Sequence, residues 1–303
     1  MITPDLLRLT NKVGIISTAR KISPKEVQPA IDKLQSWGLE PILGNHLFSE
    51  HHQFAGTAEE RAADLQKMLD DPEIKAIFCA RGGYGTVQII DRVDFTGFKK
   101  NPKWVVGYSD ITVLHSHIQR HCGVQSLHAT MPINFPDTLR ENSATESLYN
   151  ALFYGDNEYR VKAHPLNRAG SAQGELVGGN LSILYSLLGS PSDVSTIGKI
   201  LFIEDLDEYL YHIDRMMQNM KRNGKFDHIR ALLVGGMSDM NDNTIPFGKT
   251  AEEIIMDVLG DTHFPIMFNV PAGHIEDNRA LIIGGKTRIE VRENSESRIF
   301  QEI

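Results

Sequence analysis

In the first half of the chain, apolar residues gather in short unbroken runs. Between the runs lie segments whose apolar positions recur every three or four residues. The runs are residues 13–18 (VGIIST), 40–44 (EPILG), 74–80 (IKAIFCA) and 103–108 (KWVVGY). Such runs suit strands buried on both faces, and the amphipathic segments suit helices that cover them. Two helix starts are spelled out. Ser23-Pro24-Lys25-Glu26 and Thr57-Ala58-Glu59-Glu60 each set a hydroxyl N-cap three residues ahead of a glutamate, and Pro24 fits the first helical position. The pattern predicts an α/β fold whose N-terminal domain, residues 1–155, is a flavodoxin- or Rossmann-like parallel sheet.

From about Asp137 to Gly170 the pattern loosens around Pro136, Pro165 and the polar Gly155-Asp156-Asn157, which marks a domain boundary or crossover. The second half, residues 165–303, is less regular. It offers strands in GELVGGN, KILFIED, ALLVGG and PIMFNV, helices in LSILYSLLGS, LYHIDRMMQNMKRN and residues 251–259, and a closing hairpin in ALIIGGKTRIEV. A smaller, β-rich mixed domain is expected there. Four Gly-Gly pairs each follow an apolar run, but their flanks differ, so they read as strand-end turns and not as repeats.

Composition narrows the partners. The 303 residues carry a formal net charge of −8, with no stretch that clusters Lys and Arg among aromatics, which disfavours nucleic acid and anionic membranes. No apolar run reaches transmembrane length, and the N-terminal residues do not read as a signal sequence. Two cysteines, Cys79 and Cys122, supply no disulfide framework. A cytoplasmic protein is expected.

The chemistry begins at GYSDIT, where a strand runs into Gly107-Tyr108-Ser109 and turns straight into a helix. A serine at such a corner either caps the helix or stands out of the sheet as a nucleophile. The strand-end turn RGGYG offers backbone N–H groups at Gly82 and Gly83, and the Asp110 N–H opens a helix where donors are unpaired. Glu204 follows a strand among three other acids, and alone reads as a solvated or capping carboxylate. His274 sits in a loop whose backbone Pro271 and Gly273 constrain. His117 and His121 have the i, i+4 spacing of metal ligands, but no glutamate follows His117 and no third ligand is near in sequence, so no metal or other cofactor is expected.

Taken in order, VGIIST, FAGTAEERAADLQKML, ARGGYG, GYSDITVLH, GELVGGNLSIL, LFIEDLDEYLYHIDRMM and PAGHIEDN resemble the LD-carboxypeptidase family of serine peptidases over nearly the whole chain. The resemblance implies a Ser-His-Glu triad at Ser109, Glu204 and His274. It also implies an oxyanion hole from the N–H groups of the RGGYG turn (Gly83) and of Asp110, a site between two domains, and a homodimer. The substrate it implies is murein tetrapeptide or a muramyl-tetrapeptide, cut ahead of the terminal D-alanine. Two departures stand out: Ser17-Thr18-Ala19 where the family often has Ala-Pro-Ser, and LHATMP (127–132) in place of His-Gly-Pro.

The residues fit that implication. A serine hydroxyl needs a general base, and a histidine base needs a carboxylate that fixes its tautomer. An exopeptidase must also bind a free carboxylate, and Arg81, just before the two glycines, is the expected ligand, with a structural ion pair as its alternative role. Two other functions compete. One is the microcin C immunity type of hydrolase, which acts on aminoacyl-nucleotide conjugates. The other is a non-catalytic α/β binding protein with RGGYG as its anion site.

Overall fold

The computed structural model describes residues 1–137 and 142–303. In the first half, β1 (Lys12–Ile16), β2 (Glu40–Leu43), β3 (Ile74–Cys79), β4 (Trp104–Gly107) and β5 (Ser126–His128) run parallel in the order β2-β1-β3-β4-β5. This is the flavodoxin-like order, in which ligand crevices open at the carboxyl ends where strand order reverses, here between β1 and β3. Both expected capping boxes form, at the starts of α1 (Pro24–Ser36) and α2 (Ala58–Asp70). Alternate strand residues fill opposite faces. Ile15, Phe78, Trp104 and Val106 join one core, and Ile16, Ile77, Cys79 and Val105 the other. Each such buried side chain contributes roughly 1.5–3 kcal/mol relative to exposure. Helices α3 (Thr96–Lys100) and α4 (Thr112–His121) complete this half.

The loosened stretch is only partly irregular. Residues 138–141 lie outside the described residues, but α5 (Ser143–Phe153) and β6 (Asp156–Val161) follow them. β6 alternates exposed and buried residues, with Asn157, Tyr159 and Val161 turned inward, so its polar sequence hid a strand with one wet face.

The second sheet is mixed. Its strands are β7 (Gly170–Asn180), β8 (Ile200–Leu206), β9 (Ala231–Ser238), β10 (Ile266–Met267), β12 (Lys286–Val291) and β13 (Ser297–Glu302), with β6, in the order β10-β9-β8-β7-β12-β13-β6. The first four run parallel, and the rest pair antiparallel. Helices α6 (Leu181–Leu187), α7 (Leu210–Arg222) and α8 (Ala251–Leu259) pack on it.

The expected hairpin in ALIIGGKTRIEV does not form. β11 (Leu281–Ile283) pairs antiparallel with β5 in the first sheet, whereas β12 pairs with β7 and β13 in the second. The reason is burial on both sides. Ile282 enters a core of the first sheet, and Leu281 and Ile283 enter a core of the second. Three adjacent apolar residues that look like half of a hairpin are the seam between two sheets.

Candidate active site

All the candidate residues lie at or beyond the carboxyl ends of parallel strands. β4 ends at Gly107, Tyr108 is extended, and Ser109 takes φ +64° before a 3-10 turn (Ser109–Ile111) leads into α4. A left-handed conformation in a residue with a Cβ costs on the order of 1–3 kcal/mol and persists only where the surroundings enforce it. A side chain at Gly107 would strike Ile111, and a Cβ at Gly82 would stand 3.1 Å from Ser109 Oγ. The corner is therefore compact and turns the half-exposed Ser109 outward. Its hydroxyl makes no hydrogen bond to a described residue, and the Gly82 and Gly83 N–H groups have no acceptor among them.

Asp110 gives the corner a brace that sequence reading missed. Its buried carboxylate accepts the Thr86 N–H at 2.8 Å, which ties the serine corner to the end of the RGGYG turn. Buried Arg61 holds the other side of that turn, donating to Thr18 O, Gly85 O and Gln88 Oε1. Burial pushes the Asp110 carboxyl up, against the Thr86 donor and the Arg61 and Arg20 guanidiniums.

Glu204, near the end of β8, is fully buried, and its Oε2 accepts both the His274 ring Nδ1–H at 2.7 Å and the His274 backbone N–H at 3.1 Å. A β-carbon at Gly273, which has φ +104°, would lie 2.6–2.8 Å from Glu204 side-chain atoms, so only glycine allows this approach. The loop is pinned further by Gly273 N–H to Asn278 Oδ1 at 2.8 Å and Ser238 Oγ–H to His274 O at 2.6 Å.

A second imidazole faces the same acid. Buried His128, at the end of β5, sets Nε2 3.7 Å from Glu204 Oε1, too long for a hydrogen bond. Both His128 nitrogens and Glu204 Oε1 lack partners among the described residues. Burial alone would raise the Glu204 pKa; His128 and His274 outweigh it and hold it at about 2. Next to it, burial and the Glu204 charge push Asp205 up to about 7, although Asn180 Nδ2, Ser182 N and Leu206 N all donate to it. His128 lies in LHATMP, which the sequence marked only as a departure, and Asp205 was one acid among four.

Among the contacts that join the halves, two lie at the serine corner. Thr112 Oγ1 accepts the Asn180 N–H at 3.0 Å, and Asn180 stands opposite Glu204 in the β7–β8 register. The Tyr108 ring lies 4.8 Å from the His274 ring, centroid to centroid. The structure thus brings His274 against the residue preceding Ser109. No hydrogen bond joins Ser109 to His274 among the described residues, a common looseness in sites without substrate. Arg81 donates to Lys21 O at 3.3 Å and stands 3.9 Å from Glu26 Oε1. His117 and His121 bond to Ser192 Oγ and Pro191 O, and among the described residues no group of three or more His, Cys, Asp or Glu is placed to hold a metal.

Comparison with known proteins identifies the family. Residues 13–129 match the LD-carboxypeptidase N-terminal domain of the peptidase S66 family, and residues 173–289 match its C-terminal domain. The probable murein peptide carboxypeptidase of Bacillus subtilis (strain 168) is 36% identical over 302 residues, which cover 96% of this chain and 92% of that protein. The murein tetrapeptide carboxypeptidase of Pseudomonas aeruginosa is 27% identical over 93% of this chain and 94% of its own length. Among solved structures, muramoyltetrapeptide carboxypeptidase from Oxalobacter formigenes superposes with a TM-score of 0.86 at 24% identity, over 96% of this chain and 99% of that one. The microcin C7 self-immunity protein MccF, in complex with aspartyl sulfamoyl adenosine, gives 0.88 at 20% identity, over 100% and 99%. Both are likenesses of fold. With both halves matched in order and relatives aligned almost end to end, the chain belongs to the LD-carboxypeptidase family of serine carboxypeptidases.

Proposed function

We propose that the protein removes the terminal D-alanine from murein tetrapeptide, free or muramyl-linked, through Ser109, His274 and Glu204. The observation that carries this reading is the 2.7 Å contact between Glu204 Oε2 and His274 Nδ1, made beside Tyr108 at the serine corner. An ionised Glu204 accepts the Nδ1 proton, which leaves the Nε2 lone pair free to act as base. Ser109 Oγ attacks the carbonyl of the third residue while Nε2 takes its proton. The oxyanion that forms is met by the Gly83 and Asp110 N–H groups. As the tetrahedral intermediate collapses, the C–N bond breaks, and His274 returns the proton to the D-alanine nitrogen. D-Alanine leaves and an acyl-enzyme remains. Water, deprotonated by His274, then releases the tripeptide and restores Ser109. Buried Glu204 lowers the cost of the transient imidazolium.

The test is incubation with tetrapeptide, read by mass spectrometry. Loss of one alanine is the expected result; intact tetrapeptide alongside cleavage of an aminoacyl-nucleotide would move the protein to the MccF type of reaction. The fold does not separate the two, since it is shared equally with both; the 36% identical relative favours murein peptide. The same reading has the enzyme act as a cytoplasmic homodimer, in keeping with the family resemblance and two unpaired, buried cysteines. Sedimentation at micromolar concentration checks the dimer.

A further inference from the structure

We infer that Arg20, in the loop between β1 and α1, holds the free terminal carboxylate of the substrate; the inference rests on the carboxypeptidase reading above. A carboxypeptidase must tell a chain end from an internal bond, and a cation or a cluster of N–H donors beside the oxyanion site does this by binding the free carboxylate. Four cations stand around the RGGYG turn. Arg61 is buried and spends its donors on Thr18 O, Gly85 O and Gln88 Oε1. Lys21 is paired with Glu50 at 2.6 Å. Arg81 is drawn toward Lys21 O and Glu26, the carboxylate of the α1 capping box. Arg20 differs: it is exposed, and its side chain makes no ion pair or hydrogen bond with a described residue.

Its position is nevertheless fixed. The Arg20 N–H reaches Gly82 O at 3.4 Å, and the residue forms a β-bridge with Phe54. The stem lies across Gly83, whose missing Cβ would stand 2.5–2.7 Å from Arg20 Cγ, Cδ and Nε. The guanidinium is thereby laid along the face of the glycine assigned to the oxyanion hole. The backbone contact Arg20 N–H to Gly82 O spans the reversal point between β1 and β3, the crevice where this fold binds ligands. A planar cation with paired donors, uncommitted and beside the N–H groups that would face the oxyanion, fits a carboxylate.

The experiment measures kcat/KM for tetrapeptide and for its C-terminal amide. Wild-type enzyme should prefer the acid strongly. Arg20→Ala should lower the acid value by roughly 30- to 1000-fold, the scale of a broken carboxylate pair, and leave the amide value nearly unchanged, so the preference collapses toward one. Arg20→Lys should keep part of it, having charge without the paired donors. Arg81→Ala should keep the wild-type preference. The amide rate within Arg20→Ala controls for folding. If that variant still prefers the acid, or loses both substrates equally, or if Arg81→Ala abolishes the preference, the assignment is overturned. Failure of wild-type enzyme to cleave tetrapeptide would defeat the proposed reaction itself; cleavage with an unchanged preference in Arg20→Ala would defeat only Arg20.

Discussion

The serine corner and the Glu204–His274 pair belong to different sheets and are built on opposite principles. The corner is a backbone device. Ser109 is half-exposed at φ +64°, glycines stand at 82, 83 and 107, and the candidate donors are main-chain N–H groups. The pair is a charge device. A fully buried carboxylate lies between two imidazoles, close to a second buried acid, and its loop is stapled by hydrogen bonds. The difference teaches where each half is fragile. The corner is sensitive to added atoms, and the pair to changes in charge and in the atoms around it.

The largest effect should come from removing the proposed chemistry on either side. Ser109→Ala and His274→Ala should each lower kcat/KM on tetrapeptide by on the order of 10⁴–10⁶, and the double variant should be little worse than either. Losses that multiply would mean that the two halves do not act as one unit. Next comes Gly273→Ala, which puts a methyl against Glu204 and imposes φ +104° on alanine. Backbone strain alone costs roughly 1–3 kcal/mol, so thermal unfolding and activity should fall together.

Gly82→Ala sharpens the contrast. Its new methyl would meet Ser109 at 3.0–3.1 Å. Activity should drop about 10- to 100-fold, the scale of a disturbed positioning contact, with little change in melting temperature. A large loss of stability there would show that the corner is as structural as the pair. His128→Phe probes the charge side. The ring stays packed near Phe202 and Tyr108 while two unpartnered buried nitrogens disappear. At neutral pH stability should fall, and activity should fall by about tenfold, as buried Glu204 loses one of the imidazoles that hold it ionised. Unchanged activity would remove His128 from the site.

The smallest effect is on stability alone, read against pH. Asp205 titrates at about 7 in the fold. A raised carboxyl holds its proton longer in the native state than in the unfolded chain, so its contribution is complete below about pH 4 and is lost as pH climbs toward 7. Asp205→Asn should therefore remove on the order of 1–3 kcal/mol of that decline, seen in urea unfolding at pH 4 and pH 8. Glu204 has the opposite sign. Held at about 2, it stabilises the fold above the ordinary carboxylate range, and that stability is lost as pH falls from about 4 toward 2. Equal slopes in wild type and Asp205→Asn between pH 4 and 8 would contradict the raised Asp205.

Much of the frame was legible because its signals are local. The capping boxes at Ser23 and Thr57, the buried strands and the serine corner follow from short-range sterics and periodicity. α5 and β6 escaped because a helix and a half-wet edge strand carry weak signals in a polar stretch. The proposed triad rests on ordered motifs, not on any one of them: Glu204 alone looks like a solvated acid, and His274 like a loop residue.

By itself the sequence determined the α/β alternation, the strand-to-helix turn at Ser109, and the glycines at which the backbone must bend or approach closely. Each follows from what neighbouring residues sterically permit. Only the tertiary structure decided which distant groups meet. It sent β11 to the first sheet, because Leu281, Ile282 and Ile283 satisfy two cores only at the seam. It set His128 against Glu204 and left Arg20 free on Gly83 while Arg81 turned toward Glu26. Contacts between elements far apart in the chain depend on how whole surfaces pack, and that has no signature at the residues that end up touching.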